Sequence, residues 1–231
     1  MSGRMGWLRA ALVLALGVGA AAPATATTAQ FRGTLGRAPV TVQLQYENRV
    51  VRGLYFYDRY RTPIALKATV SRGHTLEIDE TDVAGLPSAR LRFQDWGLHP
   101  SRPPLTGTWT DYRTRRQLPL HLELVRHADY SGVSPPGAFA TLQLASTDAF
   151  YFQVPGGEGA VVTAIEVMDK ATGTLSQRLD LPTPHCNRGM HTVEVALEQG
   201  ETVLRLPPGP RCPGTVFRWN PRAGGFERVS P

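Results

Sequence analysis

From residue 40 onward the chain alternates apolar and polar positions with a period of two. VTVQLQY sets Val42, Leu44 and Tyr46 on one face, and PIALKATV groups Ile64, Leu66, Ala68 and Val70. HTLEIDE places Leu76 and Ile78 against acids, ARLRFQD turns Leu91 and Phe93 away from arginines, and QLPLHLELV aligns Leu118, Leu120, Leu122 and Leu124. VVRGLYFY alternates too, with Tyr55 and Tyr57 opposite Leu54 and Phe56. This is the side-chain period of strands. Turn-rich clusters such as RYRTP, GLPS, HPSRPP and DYRTRRQ separate the runs. Alternating runs at roughly 8–12-residue spacing predict antiparallel β-meanders, a sandwich or a barrel. The pattern resumes beyond residue 139 with ATLQLA, AFYFQV, AVVTAIEVMD, HTVEVAL, ETVLRL and TVFRWN. No stretch after residue 26 carries a 3.6-residue apolar stripe, so an all-β chain without substantial helix is expected.

Residues 1–26 break the pattern. Arg4 and Arg9 precede the apolar run AALVLALGVGAAA, and Ala24–Ala26 offers small residues for cleavage. This reads as a secretory signal peptide, too short for a comfortable membrane span. The expected product is soluble and periplasmic, with no nucleic-acid partner. HADYSGVSPPG, rich in Pro, Gly and Ser, is the best internal boundary, dividing residues 27–126 from 127–231, two β halves expected to pack as one unit. The net charge of +6 on 231 residues becomes +4 without Arg4 and Arg9, and only Lys67 and Lys170 stand beside 23 arginines. The skew fits a genome-wide preference, or a surface that grips carboxylates or phosphates with planar guanidinium groups.

Cys186 and Cys212 are the only cysteines. In an oxidising compartment they read as a disulfide. A metal site built from them with His185 and His191 is the alternative, but the spacing matches no zinc pattern. Catalytic signatures are absent: there is no G-x-S-x-G elbow, no H-E-x-x-H and no phosphate loop. His121 lies on the polar side of its strand. Asp79 and Glu80 are adjacent, so they point to opposite faces and do not converge. Tyr55, Tyr57, Tyr60, Trp109 and Tyr112 form either a sugar-stacking face or cross-strand packing. Arg113, Arg115 and Arg116 flank a loop that is either a solvated turn or a contact for a partner. No catalytic residue and no cofactor is expected.

The first half, FRGTLGRAPVTVQLQ…VVRGLYFYDRYRTPIALKATV…LEIDE…LTGTWTDYRTRRQLPLHLE, resembles a pattern of exported bacterial proteins: F-x-G-x-[LI]-G, a strand, G-x-Y-x-Y, P-I-x-L, a late acid, G-T-W and L-P. The second half, YFQVPGGEGAVVTAIEVMDKATGTLSQRLDL…VEV…LRL…FRWNPRAGGFERV, is similar to periplasmic immunity proteins that inhibit lysozyme-like effectors of type IV secretion. The resemblance covers most of residues 27–231. It implies a β-propeller-like all-β fold and blockade of a peptidoglycan hydrolase by protein–protein contact. Relatives often carry a D-x-N-x-D-G-x-x-D loop that looks calcium-binding. Here Val195, Leu197, Gln199 and Val203 stand at the ligand positions. Glu198 and Glu201 cannot supply the six to eight oxygens calcium takes, so no metal is expected and EQGE reads as a hairpin with two solvated acids.

A hydrolase cleft uses carboxylates, so loop-tip arginines and tyrosines are the natural probes. The candidates are Tyr57, Arg59, Tyr60 and Arg61 in one loop and Tyr112, Arg113, Arg115 and Arg116 in another. A sequence pI near 9.7 favours an acidic hydrolase. The alternative is a non-catalytic envelope protein that holds anionic glycan or peptidoglycan.

Overall fold

The computed structural model describes residues 27–47, 49–70, 73–96, 104–129, 139–156, 161–209 and 212–229. The expected signal peptide, residues 1–26, and residues 130–138 of the expected boundary lie outside them. The described chain is all-β and antiparallel. Its only helical segment among these residues is a three-residue 3-10 turn, Gly189–His191.

Eight strands, β1 (Thr27–Leu35), β2 (Ala38–Glu47), β3 (Val50–Tyr57), β4 (Ile64–Val70), β5 (Leu76–Thr81), β6 (Pro87–Phe93), β7 (Leu105–Asp111) and β8 (Gln117–Asp129), pair in chain order. Strand β1 then pairs with β8 and closes a barrel. The inward positions of the alternation fill it: Phe31, Val42, Leu44, Tyr55, Leu66, Ile78, Leu91, Phe93 and Leu122 are all buried. Eight strands leave an interior just wide enough for side chains to fill. Three inward glycines serve the closure. A Cβ on Gly33, Gly53 or Gly107 would overlap the cross-strand carbonyl of His121, Gln43 or Arg92 respectively. Only glycine allows the strands to approach so closely.

The second half forms two four-stranded meanders. One comprises β9 (Ala140–Ser146), β10 (Phe150–Pro155), β11 (Val162–Asp169) and β12 (Leu175–His185). The other comprises β13 (Glu194–Glu198), β14 (Glu201–Leu206), β15 (Thr215–Asn220) and β16 (Gly225–Arg228). They share one core, with Phe152, Val154, Ile165 and Val167 from the first meeting Leu204, Leu206, Phe217 and Phe226 from the second. The Cys186–Cys212 disulfide, with its Cα atoms 5.7 Å apart, ties the end of β12 to the connection that follows β14.

The propeller-like arrangement implied by the resemblance differs from this pairing. Separate four-stranded blades would leave β1 and β8 as edges; their pairing makes the first half one closed sheet. Strand β8 also carries the barrel to Asp129, three residues past the expected division after 126.

The two halves share a small apolar cluster. Leu54 and Phe56, on the outer face of β3, are buried with Leu142, Tyr151 and Met190. Gln43, outward on β2 and fully buried, accepts from Leu142 N at 2.9 Å and orients its amide toward Leu142 O at 3.5 Å. A second clamp lies nearby. Arg61 donates to the carbonyls of Lys170 (2.5 Å) and Ala171 (3.3 Å), and Lys170 Nζ donates to Thr62 Oγ1 (2.9 Å) and Ser146 Oγ (3.3 Å).

Candidate functional site

In an up-and-down barrel alternate connections gather at one end. Here the turn at 36–37 and the loops at 58–63, 82–86 and 112–116 share an end, called the loop end below. Backbone bonds knit it together: Gly36 N to Pro119 O, Asp58 N to Pro39 O, and Tyr112 N to Ser88 O.

A polar plug closes the barrel beneath these loops. The inward carboxylate of Glu80 accepts from Tyr55 Oη at 2.6 Å, Trp109 Nε1 at 3.0 Å and Ser88 Oγ at 3.0 Å. Burial and the nearby Glu80 charge push the Tyr55 phenol far above its ordinary range. Tyr57 packs edge-on against Tyr55, ring centroids 5.8 Å apart. Asp79, the outward neighbour, takes the other side of the sheet. It accepts from Arg90 Nε at 2.8 Å and from Tyr112 Oη at 2.5 Å. Burial raises the Asp79 pKa, but these hydrogen bonds outweigh it and hold the carboxyl below its usual value. The two acids therefore face apart, as alternation requires. Of the aromatic set, Tyr55, Tyr57 and Trp109 pack inside the barrel.

The eight candidate contact residues divide. Tyr57 belongs to the plug, Arg61 to the clamp and Tyr112 to the barrel wall, where the Arg90 guanidinium lies 5.8 Å from its ring centre. Arg59, Tyr60, Arg113, Arg115 and Arg116 remain exposed, with Arg59 over the Tyr60 ring at 5.5 Å. Tyr60 is 60% exposed.

A third loop joins them. In Asp82–Leu86, Asp82 Oδ1 accepts from Ala84 N and Leu86 N, both at 2.9 Å, and Gly85 turns with φ 76°. The loop is thereby fixed, with Val83 wholly clear of the rest of the chain and Leu86 63% exposed. In the sequence alone this stretch reads as an ordinary turn. Its signal was an Asp-x-x-Gly turn with an apolar residue at its tip.

The loop end is positive. Its connections carry Arg37, Arg59, Arg61, Arg113, Arg115 and Arg116 against Asp58 and Asp82, a formal excess of four. Arg113, Arg115 and Arg116 make no side-chain hydrogen bond or ion pair among the described residues. Arg115 also has φ 61°, in the left-handed region.

EQGE is a two-residue hairpin with Gln199 at φ 53° and Gly200 at φ 83°, the positive pair a type I′ turn needs. Its acids are ion-paired rather than simply solvated: Glu198 meets Arg205 and Arg218, and Glu201 meets Arg218 at 3.1 Å. Cys186 and Cys212 bond to each other, and His185 Nδ1 lies 2.9 Å from the Cys186 carbonyl. Among the described residues no three His, Cys, Asp or Glu side chains gather as a metal site, and no helix is long and apolar enough to cross a membrane.

Comparison with known proteins finds no matching family model, no matching curated protein and no matching solved structure.

Proposed function

We propose that this protein is an exported, non-catalytic inhibitor of the immunity-protein kind, which blocks a lysozyme-like peptidoglycan hydrolase by seating the loop end of its barrel against the enzyme's glycan cleft. The observation that carries the reading is the composition of that end. Three exposed apolar side chains, Tyr60, Val83 and Leu86, project from braced loops near Arg113, Arg115 and Arg116, which make no side-chain hydrogen bond or ion pair among the described residues. Rigid loops lose little entropy on docking. Apolar tips supply contact area, and free guanidinium groups pair with the carboxylates a glycan cleft must contain. The formal excess of four also steers the protein toward an acidic partner. Export to the periplasm and the resemblance to inhibitors of secreted hydrolases are part of the same proposal.

The test is a cell-wall lysis assay with the purified protein and a panel of lysozyme-like peptidoglycan hydrolases, acidic ones among them. Inhibition, co-elution on a sizing column, and loss of both in a Val83→Asp/Leu86→Asp variant are expected. Undiminished lysis with no complex refutes it. A second reading, an envelope protein that holds anionic glycan, is favoured by a cleft whose lining includes Arg32 and Arg126 of the barrel, Arg61 of the β3–β4 loop, and Leu142 and Tyr151 of the second half. Sedimentation with purified cell wall in the absence of enzyme distinguishes the two.

A further inference from the structure

The barrel and the second half leave between them a cleft of about 430 Å³, beside the loop end. This is within the range of small-ligand sites, roughly 300–1,000 Å³. Its floor is apolar, from Phe56, Leu142 and Met168. Three arginines line it from different elements: Arg32 on β1, Arg61 in the β3–β4 loop and Arg126 on β8. Asp58 is the one acid among the lining residues, and its Oδ1 already accepts from Thr41 Oγ1 at 2.8 Å.

The informative group is Tyr151. It is only 7% exposed, and its ring packs on Phe56 with centroids 5.5 Å apart. Its hydroxyl makes no hydrogen bond among the described residues, yet the residue lines the cleft. That hydroxyl is not among the buried unpartnered polar atoms, so it opens into the cleft, free to donate to a ligand. Burial pushes the phenol up, while the charges of Arg61 and Arg32 act to lower it, so both guanidinium groups lie within electrostatic reach of the hydroxyl. Arg32 and Arg126 form no side-chain hydrogen bond or ion pair among the described residues, whereas Arg61 is held in place by the Lys170 and Ala171 carbonyls. One donor is thus preorganised, two cations are uncommitted, and a cleft-facing hydroxyl has no acceptor among the described residues.

We propose that this cleft binds an oxyanion, a carboxylate or phosphate on a small ligand, with the Tyr151 hydroxyl and the Arg32, Arg61 and Arg126 guanidinium groups around the anion and the ligand's body on Phe56, Leu142 and Met168. Arginine suits both anions, because its planar fork matches either. The site does not depend on the inhibitor reading.

The experiment is calorimetric titration of the full protein with inorganic phosphate, glucose 1-phosphate and N-acetylmuramic acid, with neutral N-acetylglucosamine as control. At least one anion is expected to bind one-to-one below about 1 mM and to weaken with salt. Tyr151→Phe keeps the ring packing, and an Arg32→Ala/Arg126→Ala variant removes no intramolecular bond. Each should weaken binding by roughly tenfold or more while the melting temperature stays in place. The ratio between the phosphates and the sugar carboxylate assigns the ligand class. Binding of none of the anions below about 10 mM, equal binding of the neutral sugar, or full affinity in both variants overturns the proposal.

Discussion

Arg115 stands where two equivalent hairpins carry glycine. In its turn, Asp111 Oδ1 accepts from Thr114 N (2.5 Å) and Thr114 Oγ1 (2.9 Å), and Arg115 N donates to Asp111 O at 3.0 Å. The β11–β12 turn repeats this arrangement with Asp169, Thr172 and Gly173, and the β15–β16 turn closes likewise from Asn220 to Gly224. The closing residue has positive φ each time: 61° at Arg115, 75° at Gly173 and 66° at Gly224. An L-residue costs about 1–2 kcal/mol in that conformation. Glycine avoids this but loses about 0.5–1 kcal/mol more chain entropy on folding. Arg115→Gly should therefore stabilise the protein by about 0.5–1 kcal/mol, raising the melting temperature by about 1–3 °C for a chain of this size. Gly224→Arg is the reciprocal. No atom lies within 4 Å of a Cβ built there, so its cost is backbone alone and should be of similar size with opposite sign. Calorimetry reads both. A destabilised Arg115→Gly, or a neutral Gly224→Arg, refutes the strain argument. Strain retained without an intramolecular contact points to function. If the proposed inhibition holds, Arg115→Gly should also weaken it, and a variant that is more stable with unchanged inhibition removes Arg115 from the contact surface.

Three other measurements follow from the same geometry. Glu80→Gln leaves one oxygen acceptor for the donors of Tyr55, Trp109 and Ser88. It should cost about 2 kcal/mol in urea unfolding followed by tryptophan emission, and a loss below about 0.5 kcal/mol contradicts the plug. Asp79 is held below its ordinary pKa of 3.8, so its contribution is complete above that value and is lost as pH falls through the depressed one. The stability gap between the native protein and Asp79→Asn should accordingly narrow between about pH 4 and pH 2, and a constant gap is the contrary result. Replacing Cys186 and Cys212 by alanine, whose sequence separation is 26, should cost about 3 kcal/mol. Reductant should lower the melting temperature and EDTA should leave it unchanged; a drop with EDTA points to a structural metal.

The strands were legible in the chain because period-two alternation is a local property. Val42, Leu44, Leu76, Ile78, Leu91, Phe93, Leu120 and Leu122 all lie where the alternation sets them, inside the barrel. Closure was not legible. The β1–β8 register joins residues about 90 positions apart, Phe31 with Leu124 among them, and no local pattern encodes such a pairing. The outer wall also misled. Gln43 and Gln45 occupy the polar phase of β2, yet both are buried: Gln43 meets Leu142 of the second half, and Gln45 accepts from Arg52 on the neighbouring β3. The apolar outer phase of β3, Leu54 and Phe56, is where the second half packs. At the loop end, the arginine and tyrosine content marked two loops, but composition does not distinguish Arg61, spent on a clamp, from Arg115, which is free. Tyr151 was invisible as a site residue, because its interest lies in a missing partner.

The motif that carried the resemblance has a structural meaning of its own. Gly33, Gly53 and Gly107 are the close approaches between strands, and Tyr55, Tyr57, Glu80 and Trp109 are the plug. Pro119, from the L-P element, accepts from Gly36 N in the neighbouring turn. Every one of these residues closes or fills the barrel, and none of their polar groups is left over for a partner. Such a pattern therefore speaks for a scaffold and is silent on its target. The groups with unspent chemistry lie outside it: Tyr60, Val83 and Leu86 at the loop tips, Arg113, Arg115 and Arg116 beside them, and Arg32, Arg126 and Tyr151 in the cleft. Two chains sharing the pattern should share the barrel, while partner and ligand should change with these positions. Grafting residues 82–86 and 112–116 from this protein onto another barrel of the same pattern should transfer hydrolase recognition. A graft that folds but does not bind would move recognition elsewhere on the molecule.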